Sequence, residues 1–223
     1  MIATIGQPGL FPWWGTFAKI AAADVVVHLD HVTWQKGGYL NRFCLDTRGA
    51  RRWSTIPLAR ARLGTAIMDI RSVHPTEVLR SHVDQLGSLT DAPYRSEAVE
   101  ILKRVYSGAS PDACETAIAS TDAVGSYLGW RGRAVRSSAF PTAHASTPML
   151  LHLLRQVGAT GYLFGAGRSG LANHYLDIEM LQRAGIRVGV ARYAPIPRTS
   201  ILERIAAHGE RAMDDVSMAI EWQ

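Results

Sequence analysis

Lysine and cysteine are scarce in this 223-residue chain, and its apolar runs are short. Lys19, Lys36 and Lys103 are the only lysines beside 21 arginines, and Cys44 and Cys114 are the only cysteines. Neither cysteine belongs to a C-x-x-C pair or a Cys/His cluster. That excludes a disulfide scaffold and a structural zinc site, and predicts a reduced, cytoplasmic protein. The β-branched run Val25-Val26-Val27 stops at His28 and Asp30. Nothing approaches the roughly 20 apolar residues of a membrane span, and no basic segment followed by an apolar one opens the chain. No membrane association is expected. H-E-x-x-H and close carboxylate–His patterns are missing, so neither a metal nor another cofactor is predicted. G-x-S-x-G is missing too, which disfavours a hydrolase with a nucleophile elbow.

What is present describes an ordered globular chain, with 47% hydrophobic and 19% charged residues, long enough for one sizeable core. The 24 cations exceed the 19 acids, for a formal charge of +5, and such an excess implies an anionic partner. Nucleic acid is not the expected one, because the arginines are dispersed and no recognition motif accompanies them.

The order of elements predicts an α/β fold. Ile2 to Ile5 and Val25 to Leu29 read as buried strands, joined by a loop and a short helix carrying Phe17, Ile20 and Ala21. This is a βαβ unit, whose first loop lies at the carboxyl end of a strand, where open α/β sheets bind ligands. Trp53 to Leu58 and Ala66 to Ile70 read as strands of an antiparallel excursion. Helices follow at Thr76 to Leu89, Ser96 to Tyr106 and from Ser110-Pro111-Asp112 towards Leu128, the last with good cap chemistry. Arg133 to Ser137 reads as a strand, Thr147 to Gln156 as a helix closed by Gly158, and Tyr162 to Phe164 as a strand. Ile178 to Arg183 is helical, Ile186 to Ala191 a strand, and the remainder mostly helical. With no repeat and no linker, residues 1–223 form one domain. Its sheet is mixed but mainly parallel and Rossmann-like, with a helical middle section.

Three segments carry candidate chemistry. Gln7-Pro8-Gly9-Leu10-Phe11-Pro12-Trp13-Trp14-Gly15 is stiff, and can present an amide and backbone N–H groups to a ligand; its aromatics serve equally well as core. Asp30, His31, Lys36, Asn41 and Arg42 gather just after a strand. A carboxylate beside an imidazole suits a general base, and Lys with Arg suits a phosphate or carboxylate. Gly165 to Gly170 fits G-x-G-x-x-G, but the next strand ends beside Arg192 instead of an acid, so dinucleotide binding is not expected. A turn bringing Arg168 to an anion is the better reading. Ser137 and Ser138 can donate hydrogen bonds at a strand end. Arg42 near Cys44 would favour a thiolate, although a buried cysteine is usually an inert hydrophobe.

Taken in order, these pieces resemble the WbqC-like protein family. The matching residues are Gln7-Pro8, Phe11-Pro12-Trp13 and Gly15; Ala23-Asp24; Leu29-Asp30 with Lys36 and Asn41-Arg42; His82; Ala92-Pro93-Tyr94; and Ser137-Ser138. Gly158-Ala159, Tyr162-Leu163, Gly165, Tyr175-Leu176-Asp177 and Gly185-Ile186 follow. The resemblance departs at His31, where the family carries a second acid, and at residues 195–198, where it carries a Tyr-x-Gln stretch.

That resemblance implies a transferase of O-antigen or natural-product biosynthesis, moving an aminoacyl group (glycyl among them) or an acyl group onto an amine or hydroxyl of a sugar or small metabolite. On this reading the donor is a thioester on an acidic, phosphopantetheine-bearing carrier protein. Asp30 with His31, or His82, accepts the proton, and Asn41 binds the carbonyl. Gln7, Phe11, Trp13, Lys36, Arg42, Ser137, Ser138 and Arg168 bind substrate. The basic loops with Arg51, Arg52, Arg60 and Arg62 dock the carrier. The alternative is a non-catalytic module that binds a carrier protein or a nucleotide sugar.

Overall fold

Strands apolar on both faces need cover on both faces, and the chain supplies it unevenly. In the computed structural model, residues 1–165, 176–193, 198–214, 216 and 218–223 are described. The elements are β1 (Ile2–Gly6), α1 (Trp14–Ala21), β2 (Val25–His28), β3 (Arg42–Thr47), β4 (Ala50–Thr55), α2 (Leu79–Gly87), α3 (Arg95–Ser107) and α4 (Ala113–Tyr127). They continue as β5 (Arg133–Arg136), α5 (Ser146–Gln156), β6 (Gly161–Gly165), α6 (Ile178–Arg183), β7 (Arg187–Tyr193), α7 (Ile201–His208) and β8 (Met218–Trp222).

Six strands form one sheet in the order β5-β2-β1-β6-β7-β8, parallel except for the antiparallel β8. This is the expected mixed, mainly parallel α/β architecture. Successive residues of β2 part to opposite faces: Val25 and Val27 join Leu153 and Leu154 of α5 and Leu181 of α6, while Val26 joins the other layer. That other layer holds Phe17 and Ile20 of α1, Leu86 of α2, Leu102 of α3, Val124 of α4 and Ile205 of α7. Burying each such side chain contributes about 2 kcal/mol.

The strand order reverses at β1, which has β2 on one side and β6 on the other. The crevice at their carboxyl ends is bordered by the Gln7–Pro12 loop, which follows β1; residues 166–175, with Arg168 among them, lie outside the described residues. No described helix is long and apolar enough to cross a membrane.

Three expected elements differ. The antiparallel excursion is the β3–β4 hairpin, pairing Arg42 with Thr55 through Thr47 with Ala50, rather than strands at 53–58 and 66–70. Phe43, Cys44 and Leu45 are all buried, so β3 lacks the alternation that betrays a strand. The 66–70 stretch contains a 3-10 turn, Ile67–Asp69; Ile67 and Ile70, three apart, are both buried. After α7 the chain returns as β8 instead of staying helical. Gly189 of β7 permits this, because a Cβ there would meet the Trp222 ring at 2.9 Å.

Candidate functional site

β2 and β5 end level, with His28 in register with Arg136, so the residues just beyond each strand meet. Asp30 follows β2, and Ser137–Ala139 form a 3-10 turn directly after β5. Asp30 is wholly buried and accepts four hydrogen bonds. Its Oδ1 takes Ser137 Oγ–H at 2.9 Å and Ser138 N–H at 2.8 Å; its Oδ2 takes Arg136 Nε–H at 2.7 Å and Ser138 Oγ–H at 2.7 Å. Arg136 also bonds Glu115, in the first turn of α4. Burial alone would raise the Asp30 pKa. The bonds from Ser138, Arg136 and Ser137 outweigh it and hold the carboxyl below its usual range.

A carboxylate with all lone pairs occupied anchors neighbours; it does not collect protons. Its principal neighbour is Ser137, also wholly buried, whose oxygen accepts the Asp30 backbone N–H at 3.1 Å. The Ser137 hydroxyl has one hydrogen, committed to Asp30. His31 Nδ1 lies 2.6 Å from the same oxygen and so must bring its own hydrogen. In the neutral ring this leaves Nε2 bare, with no partner among the described residues. The order carboxylate–serine–imidazole turns the half-buried His31 into a base of fixed tautomer.

The chain from Asp30 runs on beside residues 65–68, tied by Met68 N–H to Asp30 O at 2.8 Å, Ile67 N–H to Val32 O at 2.9 Å and Trp34 N–H to Thr65 O at 2.9 Å. Four residues later, at most about 14 Å away, it opens onto a cavity of about 500 Å³ lined by Lys36, Asn41, Arg42 and Arg60. Asn41 Nδ2–H is engaged with Ile56 O at 2.6 Å. The first motif reaches this segment through Leu10 N–H, which donates to Tyr39 O at 2.9 Å. Asp30, His31, Ser137 and Ser138 thus form one group, and Lys36, Asn41, Arg42 and Arg60 a second.

Other expected site residues are placed elsewhere. His82 is in the core, with Nδ1 2.6 Å from Tyr106 Oη and its ring edge-on to Phe43. None of its contacts reaches Asp30, and burial lowers its pKa to about 4 despite a hydrogen bond from the ring to the Thr55 backbone carbonyl that favours the charged form. Phe11 is fully buried between Phe43 and Tyr106. It is core, not a substrate contact. Its φ of 39° is held by its N–H on Ser120 Oγ and by Ser200 Oγ–H on its carbonyl. Trp13 packs edge-on against Trp14 and Tyr193, and Arg198 lies 5.0 Å over its ring. Gly15 is required there, since a Cβ would lie 2.2 Å from that ring. Gln7 is exposed. Arg51 and Arg52 are exposed on β4, and Arg62 is exposed in the loop beyond Arg60.

Both thiols are buried. Burial raises the Cys44 pKa, and pushes that of Cys114 up to about 12. Neither is an activated nucleophile.

Two functional groups escaped the sequence reading. Arg136, beside Ser137, is the cation that compensates Asp30; its place at a strand end was the available signal. His28 is buried, and its Nε2 has no partner among the described residues. Burial lowers its pKa to about 4, with Asp30 acting upward and Arg136 downward.

A family model described as the WbqC-like protein family matches residues 7–201. An uncharacterized protein of Mycobacterium tuberculosis, Rv1507c, is 25% identical, covering 94% of this chain and 95% of its own. No solved structure matches the chain.

Proposed function

The chain belongs to the WbqC-like protein family, and from that footing we propose that it is a transferase moving an aminoacyl or acyl group from a carrier-protein thioester onto an amine or hydroxyl of a small metabolite or sugar. One observation carries the reading: Ser137 Oγ is bonded to both Asp30 and His31 Nδ1, which leaves His31 Nε2 as a bare base at the carboxyl edge of the sheet. As the acceptor amine attacks the thioester carbonyl, Nε2 takes its proton. The C–S bond breaks, the thiolate leaves, and the imidazolium returns the proton to sulfur. Asp30 stays ionised throughout and holds Ser137 and the ring in place. This reassigns Asp30 from proton acceptor to positioning residue, and drops His82.

The acidic carrier docks on the arginine-bearing hairpin and loop, with Arg51, Arg52, Arg60 and Arg62 as complementary charge. The cations of the nearby cavity favour a second reading, a binding module that holds a carrier or nucleotide sugar without turnover. Incubating the protein with glycyl- or acyl-loaded carrier and a panel of amino sugars, with product read by mass, separates the two. Transfer that requires the protein supports the transferase; saturable carrier binding with no product supports the module.

A further inference from the structure

We infer that the cavity between the β3–β4 hairpin and the 59–65 loop is a subsite for the phosphate of a phosphorylated substrate arm. The inference rests on the transferase reading for its place in the reaction, but binding there requires no turnover.

The cavity, about 500 Å³, is lined by Lys36, Arg42 and Arg60, and no acidic residue lines it. None of these cations has a carboxylate partner among the described residues, although ion pairs are made elsewhere by Arg71, Lys103, Arg136, Arg183 and Arg192. Three cations that converge unpaired repel one another, and an anion relieves that cost.

Arg42 is fixed beforehand. Its Nε–H donates to Gly38 O at 3.0 Å, an Nη2–H donates to Gly37 O, and its guanidinium lies 4.2 Å over the Trp53 ring. The Nε/Nη2 edge, the fork that suits a carboxylate, is therefore taken on Arg42. What remains around the cavity is a set of separate donors, which fits the several oxygens of a phosphate better than the two of a carboxylate.

Trp34 also lines the cavity; its indole Nε1–H is shut from water and has no acceptor among the described residues, so the ring contributes shape to the wall and no donor. Leu58, Ala59 and Ala61 give one part of the wall an apolar surface, as a slender arm beyond the phosphate requires.

The rim indicates how the arm arrives. Leu63 stands fully exposed at the tip of the same loop, next to Arg62 and three residues after Arg60. An apolar knob beside two cations complements an acidic carrier surface with an apolar patch.

Isothermal titration with 4′-phosphopantetheine, and with pantetheine lacking the phosphate, tests the subsite. The phosphorylated probe is expected to bind at least tenfold tighter, with the difference collapsing in Lys36→Gln and Arg60→Gln. Equal affinity for the two probes, or full phosphate discrimination in both cation variants, overturns the inference. His31→Ala is expected to bind both probes as wild type does, so loss of turnover and loss of the subsite are read separately. The source follows from Arg62→Glu combined with Leu63→Asp. Weaker binding of the carrier-borne arm alone supports delivery by a carrier. Unchanged binding of both forms supports a subsite filled by a free phosphorylated substrate.

Discussion

His31 Nδ1 lies 2.6 Å from Ser137 Oγ, an oxygen whose one hydrogen already belongs to Asp30. The contact fixes the histidine's tautomer through a serine, not through the carboxylate directly. Ser137→Ala removes the bridge while leaving Ser138 and Arg136 on Asp30. Turnover is expected to fall about 10- to 100-fold, within the range of a misplaced general base, with KM nearly unchanged. Stability should drop by only about 1–3 kcal/mol for the lost buried hydrogen bonds. Steady-state kinetics beside a urea melt checks both; an unchanged kcat contradicts the bridging role.

Asp30→Asn keeps the shape but removes the charge that compensates Arg136. Breaking a buried pair in this way costs about 3–5 kcal/mol, so the denaturant midpoint is expected to shift far more than in Ser137→Ala. A shift no larger than that of the serine variant means the Arg136 bond at 2.7 Å adds little.

Acid should destabilise the fold in two stages. His28 and His82 have pKa values lowered to about 4 from an ordinary 6.5. The unfolded chain therefore binds more protons, and the stability these residues confer is complete above pH 6.5 and declines as the pH falls towards 4. Asp30, lowered from 3.8, contributes stability above its unfolded value and loses it only at still lower pH. Thermal melts from pH 8 to 3 should trace this descent. His28→Leu, which removes the unpartnered Nε2, should flatten the section between pH 6.5 and 4. Melting temperatures that hold steady across that range contradict the assignment.

Cys44 is expected to be dispensable. Its thiol is buried with a raised pKa, so iodoacetamide at pH 7 should label the folded protein slowly. Cys44→Ala should retain turnover; loss of activity with an intact fold would restore it as a nucleophile.

Most of the sheet could be read in the sequence, because Ile2–Ile5, Val25–Leu29 and Ile186–Ala191 are short, mostly apolar and β-branched runs, interrupted only by Thr4, His28, Arg187 and Gly189. The hairpin could not. Phe43, Cys44 and Leu45 are buried together, and Arg51, Arg52 and Trp53 are exposed together, so neither strand alternates. At the site, Asp30, His31 and Ser137 were legible as candidates, but their roles were not. Which oxygen holds which hydrogen depends on Arg136 and Ser138, brought in by the level ends of β2 and β5 more than 100 residues apart. His82 was misleading for the opposite reason: a histidine on a helix looks the same whether it meets a substrate or, as here, the Tyr106 hydroxyl.

The most direct test compares single-turnover transfer from a loaded carrier by the wild type and by His31→Ala, with carrier binding measured on the same samples. The account predicts a fall of about 100-fold or more in the transfer rate, with binding unchanged. Transfer by His31→Ala at the wild-type rate would contradict it.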